Sequence, residues 1–98
     1  MYYVYILYSK QFDKYYIGHT DNPERRLEEH NTSSHNTYTR KYRPWDLRVK
    51  IAVSENRGMA MRVEHYLKKQ KSRRVLNQLI DLRKDMEGLS ALIREWGF

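Results

Sequence analysis

The sequence predicts a small α+β domain: a three-stranded antiparallel sheet flanked by helices, in the order β-β-α-β-α-α. Three observations lead there. Two aromatic, strand-like runs, residues 2–8 and 15–19, are separated by a short polar turn. Trp45 to Val53 carries a large apolar residue at every second position. The remaining apolar residues recur at helical spacing behind capping residues. At 98 residues the chain fits one domain, for which about 100–150 residues is typical.

Residues 2–8 read Tyr-Tyr-Val-Tyr-Ile-Leu-Tyr, all strand formers. Side chains alternate along a strand, so Val4, Ile6 and Tyr8 share one face and Tyr3, Tyr5 and Leu7 the other. The polar stretch 9–14 is a turn, and 15–19 the second strand. Neighbours joined so closely pair most simply as an antiparallel hairpin, bringing Tyr5 near Tyr16. A helix follows over Pro23 to His30. Asn22 caps its free backbone donors, Pro23 has no N–H to leave unpaired, and Glu24 suits the positive end of the dipole. Leu27 is its main apolar contact.

Asn31 to Thr39 is loop by composition, and Pro44 discourages helix in the basic run before it. The third strand spans 45–53, with Trp45, Leu47, Val49, Ile51 and Val53 on one face. Ser54 is a cap for a helix from about Glu55 or Arg57 to Lys71, with Met59, Arg62, Val63, Tyr66 and Leu67 as a partial stripe. Ser72 caps a further helix from Arg73, where Val75, Leu76, Leu79, Ile80 and Leu82 face inward. Gly88 is expected to break it, leaving a short terminal helix over 90–96. The main domain is thus 1–83, with 84–98 a helical extension packed on it.

Nineteen Lys and Arg against twelve Asp and Glu give a net charge of +7 and a pI near 9.7. A small domain so basic suits a polyanionic partner, most often nucleic acid, although net charges of about 2–8 also serve solubility. Eight of the nine tyrosines lie between Tyr2 and Tyr42. Mixed with Lys and Arg they suit base stacking and phosphate contacts, and equally a small sheet. The lack of cysteine removes disulfides, thiolate metal sites and a cysteine nucleophile. No apolar run approaches the roughly 20 residues of a membrane span, and no signal peptide is legible. The expectation is a soluble, cytoplasmic protein.

Residues 16–30 hold the densest chemistry. Tyr16 ends a strand, and Arg26 and His30, four apart, project from one face of the helix that follows. A phenol, a guanidinium and an imidazole thereby converge on one polar site. Read without other context, the tyrosines are also sheet aromatics, Arg26 and His30 a solvated face with Glu28 and Glu29, and Glu64 an i,i+4 partner of Lys68. His65 points away from Glu64, and no pair of histidines or carboxylates has zinc spacing.

Tyr3-Val4-Tyr5, Tyr16-Ile17-Gly18, Arg26, His30 and a helical Glu64 together resemble the GIY-YIG nuclease domain family, especially its small stand-alone bacterial members, related to the N-terminal domain of the excision-repair nuclease C subunit. Tyr3 stands where the family name has glycine, and Val4 replaces isoleucine. Tyr5 to Tyr16 is eleven positions, Tyr16 to Arg26 ten and Arg26 to His30 four, similar to the family spacing. The resemblance covers about residues 1–83.

That resemblance implies metal-dependent hydrolysis of a phosphodiester, with a role in DNA repair or recombination. Tyr16 would be the general base. A phenol titrates near about 10 in isolation, so this role calls for positive neighbours, and His19 stands where some members keep a basic residue that assists. Tyr5 would hydrogen-bond to the phosphate or to water at the metal. Arg26 would neutralise the phosphoryl oxygens, and His30 would orient the phosphate or serve the leaving oxygen. Glu64 would hold a single divalent ion, Mg²⁺ or Mn²⁺. Asn77 falls near the family's late asparagine, thirteen positions from Glu64; His35 does not match the family's spacing, and no role carries over to it.

Two basic segments, Arg40, Lys41 and Arg43, and Lys68, Lys69, Lys71, Arg73 and Arg74, would line a phosphate track on DNA, fixing position with little sequence information. Specificity would then come from a partner protein or from substrate shape. The rival reading is a non-catalytic nucleic-acid-binding module of the same fold. A protein-interaction domain is the third, and it leaves the Tyr–Arg–His spacing unexplained.

Overall fold

The structure, a computed structural model, describes residues 1–32 and 37–98. His35 lies outside the described residues. Three strands, β1 (Tyr2–Ser9), β2 (Lys14–Thr20) and β3 (Asp46–Ser54), form one antiparallel sheet in the order β2-β1-β3. The helices are α1 (Pro23–Thr32), α2 (Thr37–Tyr42), α3 (Arg57–Gln70), α4 (Arg73–Asp81) and α5 (Met86–Glu95). The chain is therefore α+β, a three-stranded antiparallel sheet with flanking helices, as the sequence predicts.

The most apolar strand, β1, takes the centre and is buried on both faces, which requires cover on both sides. One face carries Val4, Ile6, Val49 and Ile51 against Ala60, Val63 and Leu67 of α3, Leu76 and Leu79 of α4, and Leu89 and Ile93 of α5. Each fully buried aliphatic side chain contributes about 1.5–3 kcal/mol, so this layer holds most of the stability. The other face packs Tyr5, Leu7 and Trp45 with Tyr16, Leu27 of α1 and Tyr42 of α2. In the hairpin Tyr5 opposes Gly18 and Leu7 opposes Tyr16. Placing β2 at the outer edge leaves its Tyr16–Thr20 end open between α1 and α3.

Four local expectations change. The stripe from Trp45 to Val53 does not stay on one face. Ile6 pairs with Val49 but Leu7 with Leu47, so Arg48 is an extra residue. Such a bulge reverses the parity of the strand: Trp45 and Leu47 face the tyrosines, whereas Val49, Ile51 and Val53 face α3. Second, the polar stretch 31–39 is not loop throughout. Asn31 and Thr32 end α1 and Thr37–Thr39 begin α2, because tertiary contacts override composition. Asn31 donates from Nδ2 to the Trp45 carbonyl at 3.1 Å and accepts the Trp45 N–H at 2.6 Å, while the Trp45 indole N–H donates to the carbonyl of buried Thr39 at 2.8 Å.

Third, α3 is capped by Asn56, whose Oδ1 accepts from the Gly58 N–H at 2.7 Å. Ser54 instead accepts from the Asn56 N–H. Fourth, Gly88 does not break a helix. It lies in the first turn of α5 and donates its N–H to the Asp85 cap at 2.9 Å. The caps read at Asn22 and Ser72 are present: their side chains accept from the N–H of Arg25 and Val75. At the C-terminus Trp96 stacks on Tyr66, with ring centroids 4.9 Å apart, and Phe98 meets Tyr66 edge-on, so both aromatics pack on their own chain. No helix among the described residues is long and apolar enough to cross a membrane.

Candidate active site

A polar cleft of about 470 Å³ opens at the outer edge of β2. Its walls come from four elements: Tyr5 of β1; Tyr16, Gly18 and His19 of β2; Arg25, Arg26 and Glu29 of α1; and Arg57 and Glu64 of α3. The hairpin register delivers the tyrosines, the Asn22 cap sets where α1 starts, and the Asn56 cap sets the phase of α3. Arg57 and Glu64, seven apart, then share a face of that helix.

Gly18 sets the depth of the cleft. A Cβ at this position would lie 2.4 Å from the Tyr5 hydroxyl oxygen and 2.5 Å from Cζ, so only glycine lets the Tyr5 ring lie across β2. Tyr3 behaves differently. It lies outside the cleft near Lys50, whose Nζ is 5.9 Å from the ring centre, so nothing there demands the family's glycine.

Tyr5 is buried, and its hydroxyl lies 2.8 Å from His30 Nε2. Burial raises the Tyr5 pKa well above the ordinary phenol range, and nearby Tyr16 adds to this, with Arg26 pulling the other way. His30 is only 2 % exposed. Burial first, then the Arg26 charge, push its pKa down to about 4. At neutral pH both are therefore neutral. His30 does not line the cleft; it stands behind Tyr5 and is in no position to touch a phosphate there.

Tyr16 is half-buried between the Tyr5, His30, Tyr38 and Trp45 rings, with centroids 6.3, 4.7, 6.2 and 6.2 Å away. No hydrogen bond to its hydroxyl forms among the described residues. The Lys68 ammonium lies 5.9 Å from its ring centre. Arg26 reaches Glu29 at 3.4 Å, and Arg25 spans Asp21 and Glu29.

Glu64 is partly buried and doubly engaged. Its Oε1 lies 2.7 Å from His19 Nδ1 and its Oε2 2.8 Å from the Lys68 ammonium. Arg57 Nε–H donates to His19 Nε2 at 3.2 Å. That nitrogen is thus an acceptor, and the proton sits on Nδ1, where it is given to Glu64. His19, expected to assist Tyr16, instead joins Arg57 to Glu64. Arg57 and Glu29 were not foreseen in the cleft, although their spacing to Glu64 and Arg26 along the helices carried the signal.

The other expected residues disperse. Asn77 accepts from the Tyr15 hydroxyl at 3.0 Å and does not line the cleft. Lys68, Lys71 and Arg73 border a neighbouring groove together with Lys14. Arg73 is tied to Asp13, with its guanidinium 5.1 Å from the Tyr15 ring centre. Arg43 donates to the Asn31 carbonyl at 3.2 Å. Arg40, Lys41, Lys69 and Arg74 are exposed and border neither concavity.

Glu64 is also the group to consider for a metal. No cluster of three or more His, Cys, Asp or Glu able to hold an ion occurs among the described residues. A single carboxylate ligand beside open, polar space fits Mg²⁺, which keeps several waters and takes few protein ligands. The Lys68 ammonium on Oε2 shows that this edge of the carboxylate accepts a cation.

No curated protein matches the chain. A solution NMR structure of the UPF0213 protein BH0048 from Bacillus halodurans is 34% identical, covers 92% of this chain and 94% of its own, and superposes with a TM-score of 0.49. The GIY-YIG catalytic domain model matches residues 1–77, a span that takes in both tyrosine motifs, all of the cleft and the helix bearing Glu64. The chain belongs to the GIY-YIG family.

Proposed function

We propose that the cleft hydrolyses a phosphodiester bond of DNA with one divalent cation, Mg²⁺ or Mn²⁺. One observation carries this reading: Tyr16, Arg26 and Glu64, from β2, α1 and α3, line a single polar cleft. Glu64 would hold the ion, which supplies charge neutralisation at the phosphate and a lowered barrier to water deprotonation. Arg26 then offers its guanidinium to the phosphoryl oxygens, where charge accumulates in the transition state.

The two tyrosines separate by environment. Tyr5 keeps its proton, because burial opposes the phenolate and His30 holds the hydroxyl, so it serves as a hydrogen-bonding group at the cleft floor. Tyr16 has the Lys68 ammonium 5.9 Å from its ring centre and a free hydroxyl among the described residues, which supports it as the group that takes a proton from water. His30, neutral above about pH 4, orients Tyr5 and is not an acid for the leaving oxygen. His19 and Arg57 aim the Glu64 carboxylate.

Purified protein with Mg²⁺ or Mn²⁺ should nick branched, flapped or single-stranded DNA, and Glu64→Ala and Tyr16→Phe should each abolish it. Cleavage that persists undiminished in both variants sinks the proposal. A second reading, a binding module that does not cut, draws on the engagement of both Glu64 oxygens by His19 and Lys68. It requires salt-sensitive DNA binding with no metal-dependent product over the same substrates. A part in DNA repair or recombination, with a partner protein supplying specificity, belongs to the same proposal.

A further inference from the structure

On the far side of Tyr16 lies a second groove, about 490 Å³, whose walls include Tyr15, Ile17, Tyr38, Leu67 and Leu76. Its rim carries Lys14, Lys68, Lys71 and Arg73, and no acidic residue lines it among the described residues. We propose that this groove takes an unpaired nucleobase of single-stranded DNA, adjacent to the phosphate that the cleft would hold. This rests on the phosphodiester reading and names the substrate form that the same site selects.

Tyr38 supplies the platform. The residue is 40 % exposed, yet its ring is set in place from behind: Trp45 stacks on it at 6.0 Å with planes 27° apart, and Tyr42 meets it edge-on at 4.9 Å. Its hydroxyl donates to the Tyr15 carbonyl at 3.3 Å. A rigid aromatic face backed by others, with cations on the rim, is the combination that holds single strands, since every base has a π-face and every nucleotide a phosphate. Asp13 answers Arg73 and Glu64 answers Lys68. Lys14 and Lys71 form no ion pair among the described residues, so their charge is available to a backbone phosphate. Charge thus favours a nucleotide over an apolar peptide as the occupant.

Tyr16 walls both concavities, so a base in the groove and a phosphate in the cleft are neighbours along one strand. A base paired in a duplex cannot reach this position without leaving its stack. The groove therefore selects unpaired DNA next to the cut.

The test is binding, read by fluorescence anisotropy of the full chain without divalent ion. Two labelled single-stranded oligonucleotides of equal length and charge are compared, one normal and one with a run of abasic positions. The abasic strand should bind about tenfold or more weakly, as expected for lost stacking. Tyr38→Ala should bring the normal strand down to the abasic level, and Tyr38→Phe should restore the difference. Equal affinity of the two strands for the wild-type chain overturns the base groove while leaving phosphate binding and hydrolysis intact. So does an equal weakening of both by Tyr38→Ala. No binding of either strand, with an apolar peptide bound instead, overturns the groove and the phosphodiester reading together.

Discussion

Tyr5 lies across Gly18, its hydroxyl oxygen passing 2.4 Å from where a Cβ on that residue would stand. The two residues are directly opposed in the hairpin, so the short central motif of β2 and the aromatic residue of β1 are one steric unit. A glycine in a strand normally weakens it; here it leaves room for the ring that floors the cleft.

Gly18→Ala should therefore destabilise the fold by about 1–3 kcal/mol, the usual cost of overpacking. Adding Tyr5→Phe should not rescue it, because the ring carbon Cζ would still be 2.5 Å from the new methyl. Tyr5→Leu in the Gly18→Ala background should recover part of the loss. Urea denaturation of the four proteins decides this, and full rescue by Phe would show that the ring is not the obstacle.

The Tyr5–His30 pair predicts acid sensitivity. Burial holds the folded His30 pKa at about 4 against 6.5 for the free side chain. Between those values the unfolded chain binds a proton that the folded chain does not, so stability falls as pH falls from about 6.5 to 4 and is unaffected above. One unit is about 1.4 kcal/mol, giving a loss of roughly 3 kcal/mol from this group. His30→Gln should flatten that part of the pH–stability curve. An unchanged slope across pH 4–6.5 would show that His30 is not the titrating group.

The two partners of Glu64 should affect a bound cation in opposite senses. Lys68 competes for Oε2 through a half-exposed ion pair, worth about 0.2–1 kcal/mol. Lys68→Gln should thus tighten Mg²⁺ by up to about fivefold. His19 orients Oε1, and loss of such a supporting partner typically costs about 10–100-fold in affinity. Mg²⁺ titrations followed by calorimetry, with Glu64→Ala as the blank, measure both. Weaker binding in Lys68→Gln would show that the lysine supports the ion and does not compete with it.

Asn31 clamps the backbone of Trp45 with two hydrogen bonds, one through each side-chain atom. Asn31→Ala leaves a partly buried N–H and C=O without partners, at a cost of about 1–3 kcal/mol. Thermal unfolding reads the loss, and Trp45 fluorescence should report loosening around the indole well below the midpoint. Asn31→Asp, which keeps the acceptor for the Trp45 N–H, should lie between the two. An Asn31→Ala melt matching wild type would mean that the clamp is dispensable.

The sequence by itself determined the hairpin, the third strand, the helical caps at Asn22 and Ser72, the order of the main elements, and the presence of Tyr16, Arg26 and Glu64 in the pattern of the family. These follow from local rules: alternation, helical spacing and backbone donors that need a cap are all written within a few residues. Tertiary structure alone decided the rest. The bulge at Arg48 turns Trp45 and Leu47 toward the tyrosines, so that β3 supplies side chains to the cores on both faces of the sheet, which no alternation within β3 reveals. The helix over Thr37–Tyr42 forms in polar sequence where the Trp45 indole holds the Thr39 carbonyl and its ring packs on Tyr38. His30 is buried behind Tyr5, and His19 bridges Arg57 and Glu64, through contacts between residues 25, 38 and 45 positions apart. Spacing shows that such groups meet on one side of the fold. Which of them faces the cleft and which supports it from behind is decided by burial, and burial depends on the whole chain.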